Sequence, residues 1–382
     1  MELAPKQQVV ELIKKNNNIL ITTTEDNKGD GISSGIALAH ILEKLGKNIT
    51  VIVRGESYKN FHFLPGYEKI EREFSGLRDF IISLSLERAK IEKVSYKTDR
   101  DKLHFFVSPK ETNFETKDVS FSQGDFKFDL VIVLDSVDLE SLGSLYDINT
   151  DFFYNQPVVN IDHNSGNDYF GAVNLVDLTA SSTAEILVSI IESLDPKLVD
   201  ENVATCLLAG IISDTNSFQN SNTTPKALTV TAQLIAAGAD HELVVRNLFK
   251  VKPFDMLKIW GKILSEIKTD EENKILWSEI KIEELEHADS AKEIINGVLD
   301  ELLSTVFGIK VYLLFLEKDD TLKVFMRTSR DIDAKNISLL FGGVGRGQEG
   351  RFEAKGSNLL VTREDILEKI RQYLSQTSPR ES

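Results

Sequence analysis

Two patterns alternate along the first 250 residues. Largely apolar runs, 18–23 (NILITT), 49–54 (ITVIVR), 128–135 (FDLVIVLD) and 158–162 (VVNID), have the length of strands buried on both faces. Between and after them, residues 9–15, 33–47 (SSGIALAHILEKLGK), 180–194 (ASSTAEILVSIIESL), 203–212 (VATCLLAGII) and 224–238 read as helices. Most of these are amphipathic, while the run at 203–212 is apolar throughout. Gly46 marks a helix stop, and serine or threonine is on hand to cap the helix at 180–194. Strand, loop, helix and strand at this spacing make a βαβ unit, hence a parallel sheet.

From 81 to 128 the pattern becomes short alternating segments (KVSYKT, KLHFFVS, DVSFS) between polar turns, which predicts a hairpin-rich insertion or a pair of edge strands. Residues 241–268 read as connecting helix. A second pattern then follows: strand LWSEIK, helix 291–303, strands KVYLLFLEK and TLKVFMRTS, a glycine-dense loop at 341–350 (FGGVGRGQEG) and a helix near 363–374. The expected class is therefore α/β, a parallel-sheet domain with helices on both faces followed by a smaller α/β domain. The expected boundaries are 1–250, a helical connector at 251–272, a second domain at 273–376 and a disordered tail at 377–382.

Composition narrows the picture. A chain of 382 residues can hold two cores, and its 41% hydrophobic content is that of an ordinary globular protein. No apolar run reaches the roughly 20 residues of a membrane span, and the start (MELAPKQQVVELIKK) lacks a signal-peptide core. Cys206 is the only cysteine, so an intrachain disulfide and a cysteine-based zinc site are excluded. These features point to the cytoplasm. A net charge of −16 argues against extensive duplex nucleic acid, but not against a small anion held in a local basic pocket.

The chemistry sits at the ends of apolar segments. Asp30 sits on the loop between the first strand and the helix that follows it, and Asp135 ends the run FDLVIVLD. His163 follows Asp162 at the end of VVNID, and Asp214 follows the run at 203–212. Carboxylates at strand ends stand where open α/β sheets bind ligands. Three carboxylates and a neutral imidazole would form a hard site for Mn²⁺ or Mg²⁺ rather than zinc. The alternative is that these acids only cap helices and turns.

These segments resemble the DHH phosphoesterase superfamily, which includes RecJ-type exonucleases, oligoribonuclease/pAp-phosphatases, cyclic-dinucleotide phosphodiesterases and family II pyrophosphatases. The resemblance is carried by ITTTEDNKGDGISSGIAL, VIVLDSVDLESLG, VVNIDHNSGNDYFGAVNLVDLTASSTAEIL and LLAGIISDTNSFQNSNTTP, in the family's order. The loop FGGVGRGQEG is similar to that of the DHH-associated substrate-binding domain. The resemblance implies metal-dependent hydrolysis of a small nucleotide or short oligonucleotide, with Asp162, His163, Asn164 and Lys28 at catalytic positions. It implies substrate contacts at Arg327, Arg330, Gly342, Gly343, Gly345 and Arg346.

The chain departs from the family pattern where Thr24 and Lys28 stand for the histidine and an aspartate of the first motif, Asn164 for the second signature histidine and Gly345 for the loop histidine. Of the two ligand sets that the resemblance implies, one is whole (Asp30, Asp135, His163, Asp214), and the other keeps only Asp135. One metal ion is therefore expected. The alternative is a catalytically inactive relative that binds a nucleotide or protein partner through the same cleft. A homodimer is left open.

Overall fold

Strand β1 (Asn18–Thr23) lies near the middle of a six-stranded sheet, and its apolar side chains are buried on both faces. The other strands are β2 (Asn48–Ile52), β3 (Ile70–Glu71), β8 (Leu130–Leu134), β9 (Val158–Asp162) and β10 (Val173–Val176). Their order is β10-β9-β8-β1-β2-β3, and every neighbouring pair is parallel. The structure is a computed structural model and describes residues 3–25, 29–55, 60–74, 78–252, 254–285 and 291–377. The expected tail therefore lies almost wholly outside the described residues, as does Lys28.

Alternation within the strands sorts side chains to two layers. Ile19 and Ile21 join Ile132 and Leu134 on one face. They pack there with α1 (Pro5–Lys15), α2 (Asp30–Lys44), α5 (Thr183–Leu194), α6 (Glu201–Asp214), α7 (Pro225–Ala236) and α8 (His241–Val245). Leu20, Val131 and Val133 face the other way, onto α3 (Ser144–Ile148) and α4 (Thr150–Asn155) through Leu145, Phe152 and Phe153. Each fully buried aliphatic side chain contributes roughly 1.5–3 kcal/mol relative to exposure. The two layers therefore fix which strand ends meet.

Helix starts follow side-chain chemistry. Ser182 accepts from the Glu185 amide at 3.1 Å, so α5 begins at Thr183, three residues later than the sequence pattern suggests. Asp200 caps α6 through the Val203 amide at 3.0 Å, and Thr224 caps α7 through Ala227 at 3.0 Å.

Residues 80–123 form two antiparallel ribbons, β4 (Phe80–Leu84) with β7 (Val119–Gln123) and β5 (Ile91–Asp99) with β6 (Lys102–Pro109). They follow one another along the same arm, bridged by Ser85 N–H to Asp118 O at 2.8 Å and Lys110 N–H to Lys90 O at 2.9 Å.

The chain divides into two units, Met1–Val251 and Lys252–Ser382. The second holds α9 (Phe254–Ser265), β11 (Lys268–Asp270), β12 (Ile275–Lys281), α10 (Ala291–Thr305), β13 (Val311–Lys318), β14 (Thr321–Thr328), α11 (Ala334–Leu339), β15 (Val344–Arg346), β16 (Glu349–Lys355) and α12 (Leu359–Thr377). Its strands order as β11-β12-β13-β14-β16-β15, with only β12 and β13 parallel. Helix α9 belongs to this unit's core, where Ile259, Trp260 and Ile263 pack beneath one face of the sheet.

Candidate metal centre

The sheet order places the ends of β1 and β8 side by side, at the point where successive crossovers run off in opposite directions, and this is where open α/β sheets bind ligands. Asp135 immediately follows β8 with φ +51°, a left-handed conformation uncommon outside glycine. Its N–H donates to Ile161 O at 3.0 Å, which ties the turn to β9. Its carboxylate accepts from the Gly31 N–H at 3.3 Å and from Asn164 Nδ2 at 3.3 Å.

Asp30 is the first residue of α2 and is completely buried. Its Oδ2 accepts from the Thr183 amide, and its Oδ1 accepts from the Ala184 amide at 3.0 Å and the Ser34 hydroxyl at 3.1 Å. The first turn of α5 is thus aimed at this carboxylate, a favourable end of the helix dipole for an anion. Burial and the neighbouring charges of Asp135 and Asp214 oppose ionisation more strongly than His163 and the Thr183 amide favour it. The carboxyl is pushed up from 3.8 to about 8.

His163 closes the cluster. Its Nε2 lies 3.6 Å from Asp135 Oδ1 and 3.4 Å from Asp214 Oδ2, ion-pair distances beyond a good hydrogen bond. Burial works to lower its pKa, but the carboxylates of Asp135, Asp30 and Asp214 outweigh it and raise the imidazole from 6.5 to about 9. Nε2 is buried and has no hydrogen-bond partner.

One ligand atom each from Asp30, Asp135 and His163 lies within 4.8 Å of the others. Asp214, at the end of α6, stands beside them, and Asn222 Nδ2 donates to its Oδ2 at 3.1 Å. An orphaned imidazole nitrogen among repelling carboxylates fits a divalent cation, which would satisfy both defects at once. The donor set is that of Mn²⁺ or Mg²⁺.

The other expected residues fall in different places. Asp162 is buried, with its oxygens committed to the turn that follows. Oδ1 accepts from the His163 amide at 2.7 Å, the Asn164 amide at 3.2 Å and Asn164 Nδ2 at 2.7 Å, and Oδ2 accepts from Asn167 Nδ2 at 2.7 Å. It shapes the turn that presents His163. Asn164 joins Asp162 to Asp135. The Thr24 hydroxyl donates to Ser141 O at 3.1 Å.

In the second unit the Arg327 guanidinium is buried against Asp300 at 2.7 Å, Glu349 at 3.2 Å and Asn296 at 3.3 Å. Arg330 and Arg346 are exposed. The glycine-dense stretch is a hairpin rather than an open loop, with β15 paired to β16. Gly342 takes φ +69° in the turn before it. A Cβ on Gly345 would stand 2.8 Å from Lys335 Cα, and one on Gly343 would stand 2.3 Å from Arg351 O. These glycines let the hairpin lie close on α11 and on itself.

Three contributors escape a reading of the sequence. The α5 amides hold Asp30, Asn222 holds Asp214, and Gly210 of α6 lets α2 and α5 approach, since a Cβ there would sit 2.6 Å from Asp30 Oδ1. A glycine inside an otherwise apolar helix was the available signal for the last.

Residues 18–211, half of the chain, match the DHH family, N-terminal domain, and the chain belongs to that family. It is 29% identical over 220 residues to the bifunctional oligoribonuclease and PAP phosphatase NrnA of Thermus thermophilus, a match covering 57% of this chain and 65% of that protein. It is 24% identical over 261 residues to the probable enzyme of the same name from Streptococcus mutans, covering 66% of this chain and 78% of that one. The crystal structure of an exopolyphosphatase-related protein from Bacteroides fragilis shares the fold, with a TM-score of 0.70 at 18% identity over 97% of each chain. No described helix is long and apolar enough to cross a membrane.

Proposed function

We propose that this chain is a metal-dependent phosphoesterase acting on a small nucleotide or short oligonucleotide, with one Mn²⁺ or Mg²⁺ held by Asp30, Asp135, His163 and Asp214. The observation that carries the reading is His163 Nε2, buried without a hydrogen bond among carboxylates, where burial first and the charges of Asp135 and Asp214 second hold Asp30 protonated. When bound, the ion supplies Lewis-acid polarisation of a phosphoryl oxygen and a more acidic bound water. The residues do the rest. The α5 amides fix Asp30, Asn222 fixes Asp214, and Asn164 keeps Asp135 in place from the position of the family's second signature histidine. Thr24 offers a hydroxyl already donated to Ser141 O where the family has an imidazole, which supports one cation rather than two. Lys28 brings a positive charge to the same motif. Arg330, Arg346 and the stretch containing Gly342, Gly343 and Gly345 are the proposed phosphate contacts, while Arg327 is engaged with its own unit's carboxylates.

The substitutions at Thr24 and Asn164 favour a second reading, a non-catalytic binder of the same ligands. Elemental analysis of purified protein with a panel of pAp, dinucleotides and trinucleotides separates them. The first reading expects one manganese per chain and Mn²⁺-dependent hydrolysis abolished by His163→Ala. Metal and nucleotide binding without turnover selects the binder, and no metal uptake at millimolar Mn²⁺ rejects the centre itself.

A further inference from the structure

Residues 80–123 carry a surface that the metal centre does not use. In the β5–β6 ribbon, Tyr96 pairs with Phe105 and Val94 with Val107, so Val94, Tyr96, Leu103 and Phe105 share one face, while Lys93, Ser95 and Lys97 take the other, where Phe106 is the one exposed phenyl ring. In the β4–β7 ribbon, Ile82 pairs with Phe121, and the Phe80 and Phe121 rings stack with centroids 5.8 Å apart. Almost every residue of the four strands is exposed. A two-stranded ribbon is marginal in water unless its apolar face is covered.

Two observations identify the cover. First, the seven apolar residues just named as sharing faces (Val107 aside) are exposed by between 47% (Ile82) and 74% (Tyr96). At ~200 Å² for a whole aromatic side chain this amounts to about 800 Å² summed over the two ribbons, on the scale of one partner's share of a stable interface. Second, the arm has eight basic and seven acidic residues, so the remainder of the chain holds the whole acidic excess behind the net charge of −16. Two copies meeting elsewhere bring like charges together, whereas two arms meet without that repulsion.

We infer that the chain self-associates through this arm, the apolar faces of two copies packing on each other about a twofold axis. Such a contact is self-complementary, since residue i of one copy meets residue j of its partner and the reverse. The inference does not depend on the phosphoesterase reading.

Sedimentation velocity on the full chain tests it. The wild type is expected at twice 42.9 kDa. Tyr96→Glu/Phe105→Glu is expected to weaken the dimer at least about 100-fold, because each aromatic is counted twice in a symmetric contact. Lys93→Glu, on the opposite face and paired with Ser108, leaves it intact. All three positions are exposed, so unchanged circular dichroism checks that the fold survives. A second readout uses the buried Cys206 as a silent background. A spin label on Lys97→Cys is expected to give an intermolecular dipolar signal that the double glutamate change removes. A monomeric wild type at tens of micromolar overturns the inference, as does a dimer indifferent to the glutamates. An arm that binds anionic vesicles or single-stranded RNA in a monomeric wild type also overturns it.

Discussion

Replacing Gly210 by alanine opposes two effects whose sizes can be compared. In an unconstrained helix interior the change stabilises by about 1 kcal/mol, because glycine loses more backbone freedom on folding. At Gly210 the new Cβ would stand 2.6 Å from Asp30 Oδ1 and 2.7 Å from Ala184 Cβ. Neither atom is the loose end of a flexible chain. Asp30 is held by the Thr183 and Ala184 amides, and Ala184 Cβ moves only with α5. Helix α6 must therefore shift away from α2 and α5, at an overpacking cost of about 1–3 kcal/mol. The net expectation is a loss of about 1 kcal/mol in urea denaturation of the metal-free protein. The Mn²⁺ Kd, followed by calorimetry, is expected to rise about tenfold or more as the Asp30 oxygens leave the position set by α5. Gly261 in α9 is the internal control, with nothing within 4 Å of its would-be Cβ, and Gly261→Ala should gain about 1 kcal/mol. A Gly210→Ala protein that is stabilised as Gly261→Ala is, with unchanged Mn²⁺ affinity, would refute the close-approach argument.

Proton linkage gives a second expectation. Asp30 and His163 both bind protons more tightly in the metal-free fold than when unfolded, at about 8 against 3.8 and about 9 against 6.5. Their stabilising contribution is present at low pH and is lost as pH rises toward 8 and 9, while the metal form carries neither proton. The Tm increment from saturating Mn²⁺ should therefore grow from pH 6 to pH 9, and Kd should fall about tenfold per unit per proton released; a flat profile would contradict this. Asp162→Ala removes the acceptor for two backbone amides and two side-chain amides, and should cost about 2–4 kcal/mol with loss of Mn²⁺ binding. Wild-type Mn²⁺ affinity in that variant would exclude the positioning role. Arg327→Ala should lower the stability of the second unit by about 1–2 kcal/mol, since Asp300 and Glu349 remain exposed and become solvated. A variant with an unaltered urea midpoint would mean that the ion pairs contribute nothing.

The strands of the first sheet were legible because residues buried on both faces leave unbroken apolar runs, as in Leu130–Leu134. Strand β16 was not, since EGRFEAK buries only part of one face and reads as a charged loop. Asp135 and His163 could be picked out because a charged or polar residue closing an apolar segment is locally anomalous, and Asp30 because it stands in a turn-rich loop between a strand and a helix N-terminus. Their supports could not. Nothing near Thr183 in sequence announces that its amide meets a carboxylate 153 positions earlier. Arg327 shows the same limit, since a strand arginine gives no sign that an acid from a neighbouring helix and another from the next strand will surround it.

That separation of 153 positions has a consequence in time. A chain made from its N-terminus presents Asp30 early, but the amides that receive it and the α6 residue Asp214 follow only after more than a hundred residues. Until α5 and α6 are docked there is no centre for an ion to enter, so a cation cannot template the first sheet. A cation bound as proposed would be a late lock on an assembled body, with its kinetic signature on the exit side: Mn²⁺ should leave the rate of folding nearly unchanged and slow unfolding.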